Sequence, residues 1–208
     1  MTHRIEVGFR GELHDPREAG VLAGIRDLGL HSIEAVAVSD VYWLEADLTP
    51  EELDAVGCRL LSDPVAQVFA WDGAHVRGFE PWLCQLVVTY NRGVSDTLEA
   101  TILKGMEDLG IRSVGKARSG VRYVLYGAAT DDEIDLITTQ LLLNPIVQHV
   151  VQPDEDPFPA EPKYEFVLRH VSLDDSDATT GELNAASFGF FPEELEAIRC
   201  YFSGIGRN

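Results

Sequence analysis

The segment Gly24-Ile25-Arg26-Asp27-Leu28-Gly29 recurs 81 residues later as Gly105-Met106-Glu107-Asp108-Leu109-Gly110. The same offset continues in both directions along the chain. It aligns Asp15 with Asp96, Tyr42 with Tyr123, Glu52 with Glu133, Leu60-Leu61 with Leu141-Leu142, Pro64 with Pro145 and Gln67 with Gln148. About a third of the positions from 15 to 69 are identical to their partners, which indicates an internal duplication. Two copies of one small unit are therefore present, and any function has to account for the pair.

Each copy begins as a strand followed by a helix with clear end signals. In both copies an Asp stands at the predicted helix start, where it can cap free backbone N–H groups. Both helices end at a Gly and an apolar residue, Gly29-Leu30 and Gly110-Ile111, which is typical of a left-handed C-terminal cap. The central Gly24 and Gly105 predict that the helix backbone lies close to a neighbouring element, most simply the sheet.

The second half of each copy predicts two more strands and a second helix. Ser39-Asp40 and Ser119-Gly120 lie between strand-like runs, which favours a tight hairpin turn in each copy. Thr49-Pro50-Glu51-Glu52 and Thr130-Asp131-Asp132-Glu133 are capping boxes that start the second helices. A last short strand follows in each copy, and the resulting βαββαβ order is that of the ferredoxin-like motif.

The predicted fold class is α+β, with tandem ferredoxin-like units that form an intramolecular pseudo-dimer, then a linker strand and a C-terminal helix. We assign residues 1–75 to the first unit, 80–152 to the second, and 153–208 to the linker and the start of a following region. Units of this size bury little core alone. We therefore expect them to cover each other's open sheet faces or to join edges into a longer sheet.

The tail combines an acidic, Pro-rich stretch, 152–162, with a predicted strand, 164–171, and an amphipathic helix. The helix places Leu195, Ile198 and Phe202 on one face. That face needs a covering surface, which we expect to come from sequence that follows, so that this chain is the front end of a longer protein.

Composition narrows the classes of partner. The net charge of −19 argues against nucleic acid and against an anionic membrane. It favours association with basic surfaces, and the alternative, which we prefer, is that it simply keeps an acidic protein well solvated. No apolar run approaches the roughly 20 residues needed to span a bilayer, and no signal region opens the sequence, so we expect a cytoplasmic location. The three cysteines are widely spaced, as is typical of reduced thiols rather than of a metal site.

The sequence contains no pattern that predicts catalysis. The six histidines lack metal-ligand spacing, and no phosphate-binding loop, dinucleotide fingerprint or nucleophile elbow occurs. We therefore expect no catalytic residue, no metal site and no cofactor in this chain.

One local feature opposes the overall charge. Arg112, Lys116 and Arg118 alternate along a predicted strand of the second copy, and Arg122 lies across the predicted turn. These four residues are the candidate docking face, which could hold a phosphate or an acidic partner. The alternative is an ordinary solvated strand that nearby acids neutralise.

Several motifs, in order, resemble a known family. They are Gly93-Val94-Ser95-Asp96, Leu109-Gly110, Val114-Gly115-Lys116 and Leu142-Leu143-Asn144-Pro145-Ile146 in the second copy, and Pro192 to Ile198, Tyr201-Phe202 and Gly206-Arg207-Asn208 in the tail. The second copy resembles the PurS subunit family of purine biosynthesis, and the first copy matches it more weakly because it lacks the Gly-Lys pair. The tail is similar to the opening of the synthetase subunit of the same enzyme, although Phe191 stands where that family usually has Ser or Thr.

The resemblance implies the N-terminal region of phosphoribosylformylglycinamidine synthase, in a form that fuses two PurS-like domains ahead of the synthetase. That ligase uses ATP, Mg²⁺ and glutamine-derived ammonia to convert formylglycinamide ribonucleotide to formylglycinamidine ribonucleotide. The implied role of this chain is a non-catalytic scaffold that bridges the glutaminase subunit or domain and the synthetase domains. Because the family's catalytic and ATP-binding residues would lie in later sequence, we expect this chain alone to be inactive.

A different class stays open at this point. A tandem ferredoxin-like regulatory module could bind a small effector between its units, with loop or helix glycines such as Gly11, Gly24 and Gly93 at the ligand.

Overall fold

The computed structural model describes residues 1–11, 13–73, 75–78, 81–158, 166–167 and 191–206. Its strands are β1 (Thr2–Phe9), β2 (Ile33–Ala46), β3 (Gln67–Trp71), β4 (Cys84–Tyr90), β5 (Val114–Gly127) and β6 (Gln148–Val150). Its helices are α1 (Pro16–Asp27), α2 (Pro50–Val56), α3 (Glu99–Asp108), α4 (Asp131–Ile137) and α5 (Pro192–Gly204). Single π-helical segments, Gly57–Leu61 and Thr138–Leu142, extend α2 and α4. The fold class is therefore α+β, as predicted.

The six strands form one antiparallel sheet in the order β3-β1-β2-β5-β4-β6. The two longest strands, β2 and β5, pair along most of their length at its centre. Each copy contributes one half of the sheet, so the copies are joined edge to edge, which is one of the two arrangements expected.

The predicted hairpins at Ser39-Asp40 and Ser119-Gly120 are wrong, because β2 and β5 each run straight through these positions. Each copy thus has three strands and two helices, and a ferredoxin-like βαββαβ unit is not confirmed.

Polar residues lie inside these strands because their side chains have partners. Ser39 Oγ donates to Glu6 Oε1 at 2.8 Å, and Asp40 accepts two hydrogen bonds from Arg17. Gly120 has a different reason: a Cβ there would lie 2.7 Å from the backbone oxygen of Val88. Ser39 and Asp40 therefore occur within a strand because of their side-chain contacts, and Gly120 because a neighbouring strand backbone lies close to it.

The helices of the two copies are exchanged between two cores. The first core combines Ile5, Leu44 and Val56 of the first copy with Ile102 and Met106 on α3 of the second copy. The second core combines α1 and β2 of the first copy with β4, β5 and α4 of the second copy. Its buried residues are Ile25, Ile33, Val36, Val38, Leu125, Ile137 and Leu142. Neither core is complete within one copy, and residues Met1–Pro159 form a single compact unit.

The central helix glycines lie at the crossing points of this exchange. A Cβ on Gly24 would lie 2.7 Å from Leu141 Cδ1, and one on Gly105 would lie 2.3 Å from Leu60 Cδ1. Leu60 and Leu141 are themselves partners at the 81-residue offset. The prediction that these glycines face the sheet is therefore wrong, because the close neighbour is the second helix of the other copy.

We expect Gly105→Val to destabilise the protein by about 1–3 kcal/mol, since the added side chain overlaps Leu60 in a filled core. Urea unfolding measures this, and Leu60→Ala in the same chain should recover part of the loss. Gly20→Ala is the matched control, because nothing lies within 4 Å of its added Cβ and Ala favours a helix by about 1 kcal/mol. Equal stability of Gly105→Val and the parent chain would contradict the exchanged packing.

The predicted helix ends are confirmed except at the start of α3. There Leu98 is the N-cap without a side-chain bond, and the predicted cap Asp96 instead accepts from Leu98 N and Ser119 Oγ. Capping boxes are present at Thr49 with Glu52 and at Thr130 with Glu133. Gly29 and Gly110 have φ values of 83° and 87°, as a left-handed C-terminal cap requires. Asp15 also caps α1, through Arg17 N.

The second compact unit, Ala160–Asn208, is described mainly by α5. The predicted C-terminal helix is confirmed, and Phe191 N at its start donates to Glu194 Oε2 at 2.9 Å. Most of the predicted strand at 164–171 lies outside the described residues. In the described part of the chain, no helix has both the length and the apolar character that a membrane crossing requires.

Candidate interaction site

A buried ion pair between the two copies is the most developed polar feature of the sheet. Glu6 on β1 is 0% exposed and Arg122 on β5 is 1% exposed, and Arg122 Nη1 lies 3.2 Å from Glu6 Oε1. Because side chains alternate along a strand, Glu6 points away from the helices while its neighbours Ile5 and Val7 enter the first core. The pair therefore connects the copies on the face of the sheet that carries no helix.

The Glu6 carboxylate is fully surrounded by donors. Its Oε1 also accepts from Ser39 Oγ at 2.8 Å and from Val76 N at 3.4 Å. Its Oε2 accepts from Arg4 Nη2 and His75 Nδ1, each at 2.8 Å. Since a carboxylate only accepts hydrogen bonds, His75 carries its proton on Nδ1 in this contact.

The Arg122 guanidinium is equally well satisfied. It donates to Gln85 Oε1 at 2.9 and 3.1 Å and to the backbone oxygens of Arg77 and Gly78 at 2.8 and 3.2 Å. These contacts hold the connecting segment, residues 75–78, against the sheet face.

Arg77 adds a second anchor for the connecting segment. Its guanidinium forms a bidentate pair with Glu18 on α1, with both distances 2.9 Å. It also donates to the backbone oxygens of Phe9 and Leu13 at 3.1 Å. Bidentate Arg–carboxylate pairs fix orientation as well as position, so residues 75–78 have a defined path.

The charges of this network follow from their surroundings. Burial acts to raise the pKa of Glu6, but hydrogen bonds from His75 and Arg4 and the charge of Arg122 outweigh it and lower the pKa below its ordinary value. Burial lowers the pKa of Arg122, but the attraction of Glu6 opposes this effect and an arginine has a high starting value, so the guanidinium stays protonated. Both members are therefore charged at neutral pH.

This arrangement has the geometry of a structural clamp. A nucleophilic serine needs a neighbouring base that accepts its proton. Here Ser39 donates to the Glu6 carboxylate, whose lowered pKa makes it a weak base, and His75 donates to the same carboxylate rather than accepting from Ser39. The network joins strands and the connecting segment rather than activating a reacting group.

The four residues of the predicted docking face differ in position and in exposure. Lys116, Arg118 and Arg122 share the sheet face without helices, but Arg112 precedes β5. Arg122 is buried in the clamp, and Arg118 is half-buried, donating to the backbone oxygens of Tyr90 and Pro157. Arg112 and Lys116 are exposed, so these two are the predicted residues that a partner could reach directly. A docking role for the set stays a prediction.

Two open grooves lie in the second copy. One, of about 420 Å³, places Arg112 beside Leu103, Lys104, Glu107, Ile111 and Val114. The other, of about 600 Å³, is lined by Asn91, Arg92, His149, Gln152, Asp154 and Glu155. His149 lies 2.8 Å from Glu155 Oε1 and 3.0 Å from Asn91 Oδ1, so its ring nitrogens already have partners. Among the described residues, no cluster of His, Cys, Asp and Glu side chains could hold a metal ion.

Sequence reasoning missed the role of Glu6. The acid was not singled out, and Arg122 was placed in the candidate docking face. One signal was available: Glu6 and Arg122 both have valine, Val87 and Val41, at the equivalent position of the other copy. Opposite charges that each replace an apolar partner in a duplicated unit can indicate a buried pair between the copies.

Comparison with known proteins gives no identification. No model of a protein family matches the chain, and a search of curated proteins finds no significant relative.

Proposed function

We propose that this chain is a non-catalytic scaffold of phosphoribosylformylglycinamidine synthase, which bridges the glutaminase and the synthetase domains. The order of PurS-like and synthetase-like motifs along the chain supports this proposal. The structural observation that carries it is the joining of both copies into one sheet with exchanged helices.

This architecture suits a platform because its two halves cannot move independently. Each core needs a helix from the other copy, and the Glu6–Arg122 clamp fixes the connecting segment on the sheet. A rigid body would hold the glutaminase, which produces ammonia, at a constant distance from the synthetase domains, which consume it. ATP and Mg²⁺ belong to the synthetase domains in this proposal.

A regulatory module that binds a small effector is the second candidate. The observation in its favour is the groove of about 600 Å³ lined by Asn91 and Arg92, which precede Gly93 in the chain. Gly24 does not support it, since Leu141 fills the space beside that glycine.

Isothermal titration separates the two candidates. The purified chain is titrated with the glutaminase subunit of the enzyme from the same source, and separately with amino acids and nucleotides. The scaffold predicts binding of the glutaminase with a Kd of about 1 μM or tighter, as is usual for a specific protein interface. A second acidic protein of similar charge serves as the control for non-specific attraction.

Tight binding of an amino acid or nucleotide without binding of the glutaminase would favour the regulatory module instead. ATP-dependent formation of formylglycinamidine ribonucleotide by this chain alone would exclude a purely non-catalytic role.

A further inference from the structure

The start of the tail, residues 152–158, stays against the sheet after β6 ends. Arg118 Nη1 on β5 donates to the backbone oxygen of Pro157 at 2.7 Å, and Glu155 Oε1 lies 2.8 Å from His149 Nε2 on β6. Within the segment, Glu155 N donates to Gln152 O and Gln152 N donates to Glu155 Oε2, both at 3.1 Å. We call residues 152–158 the tail strap, because they belong to the same compact unit as the sheet.

His149 joins the tail strap to the loop that follows β4. Its Nε2 faces the Glu155 carboxylate, and its Nδ1 lies 3.0 Å from Asn91 Oδ1. The orientation of the Asn91 amide is fixed, because its Nδ2 donates to the backbone oxygens of Pro145 and Ile146 at 3.2 and 3.1 Å. An amide oxygen and a carboxylate both only accept hydrogen bonds. Both ring nitrogens of His149 therefore carry a proton in this contact, and the ring is an imidazolium.

Glu155 cannot supply a proton to this contact at neutral pH. Burial acts to raise the pKa of Glu155, but hydrogen bonds from Gln152 N and His149 and the charges of His149 and Arg118 outweigh it and lower the pKa below its ordinary value. The side chain is therefore a carboxylate, and the proton between the two side chains belongs to the histidine.

The other charges near the ring offset one another. Arg92 and Asp154 line the groove beside His149, and Arg118 acts on Glu155 from β5. Two acids thus stand against two arginines around this contact. The direct hydrogen bonds of His149 therefore decide which protonation state of the ring fits.

The contact is specific to the second copy. At the positions that correspond to Asn91, His149 and Glu155, the first copy has Arg10, Val68 and Ala74. All three members therefore differ together between the copies, as the members of the Glu6–Arg122 pair do.

We propose that a proton-dependent latch holds the tail strap, in which the doubly protonated ring of His149 joins Asn91 to Glu155. Histidine rings lose a proton within the range of about pH 5 to 8. Docking of the strap takes up that proton, so a rise in pH weakens the latch. On release, the chain leaves the sheet at Val151 rather than after Phe158, and the connection to later residues lengthens by up to about 23 Å. The latch does not depend on the proposed scaffold function.

Hydrogen exchange and nitrogen NMR on the full chain test the latch. We expect the protection of the Gln152 and Glu155 amides, corrected for the intrinsic pH dependence of exchange, to fall at least about fivefold between about pH 6 and pH 8, since one hydrogen bond to a charged group is lost. The NMR shifts of the His149 ring should show a proton on both nitrogens at about pH 7, where an unperturbed histidine is mostly neutral.

Two variants make the pH dependence specific to this contact. Glu155→Gln provides an amide that can also donate to the bare Nε2 of a neutral ring, so strap protection should change less than about twofold over the same pH range. His31→Gln is the matched control, because it removes an exposed histidine and should keep the full pH dependence. Circular dichroism confirms that both variants are folded.

Three results would overturn the latch. One is a His149 ring with a single protonated nitrogen in the acidic part of the range. The second is equal protection of the strap amides at both ends of the range. The third is the same loss of protection in Glu155→Gln as in the parent chain, since release would then not depend on the charge of His149.

Discussion

Arg122→Met is expected to lower the free energy of unfolding by about 3 kcal/mol. Removing one member of a buried ion pair typically costs about 3–5 kcal/mol. Here Glu6 loses one of its two arginine partners and keeps Arg4 at 2.8 Å. The lower end applies because Glu6 keeps its hydrogen bonds with Arg4 and His75. Gln85 and two backbone carbonyls of the connecting segment also lose their donor. Chemical denaturation followed by circular dichroism measures the change.

Two further variants make this result specific. Lys116→Met removes a positive charge from the same strand and face, but Lys116 is exposed, so we expect a change within about 0.5 kcal/mol. Glu6→Leu combined with Arg122→Met should be more stable than Arg122→Met alone, because it removes a fully buried carboxylate that has lost one of its two arginine partners. Equal stability of Arg122→Met and Lys116→Met would show that the clamp contributes nothing.

Local signals in the sequence predicted the local structure. The capping boxes and the left-handed glycines fix helix ends within a few residues, and the 81-residue offset identifies both copies before any fold is known. These features depend on neighbouring residues, so a sequence displays them directly.

Features that depend on contacts between the copies were not predictable in the same way. Ser39-Asp40 has the composition of a turn, and only its contacts with Glu6 and Arg17 explain its place within a strand. Gly105 indicated a close neighbour, but the identity of that neighbour, Leu60, depends on the exchange of helices. The buried pair likewise requires knowing that β1 and β5 flank β2.

The clamp also determines which copies can pair. In the first copy the relevant positions are Arg4, Glu6 and Val41, and their partners in the second are Gln85, Val87 and Arg122. Pairing a first copy with a second brings one acid against one arginine. Pairing two first copies would bury two carboxylates that each have only Arg4 of their own strand and no arginine from the other copy. Pairing two second copies would bury two guanidinium groups without acid. The charges therefore favour the mixed pair over either self-pair.

Chain fragments should reveal this preference most strongly. We expect residues 1–80 and 81–158, produced separately, to lack a folded monomeric state, because each core then loses buried residues of the other copy, such as Met106 or Ile25. Mixed in equal amounts, they should assemble into a one-to-one complex with the circular dichroism of residues 1–158 produced as one chain. Size-exclusion chromatography with light scattering measures the composition.

A variant fragment tests whether the charges set this composition. Glu6→Val in residues 1–80 removes the carboxylate that a self-pair would bury and restores the residue of the second copy, so this fragment should form self-pairs that the parent fragment does not. In the mixture it should bind 81–158 more weakly, since Arg122 then loses its counterion. A parent fragment that folds alone as a stable monomer would contradict the shared cores. Self-pairs formed equally by both fragments would contradict the pairing role of Glu6 and leave the exchanged helices intact.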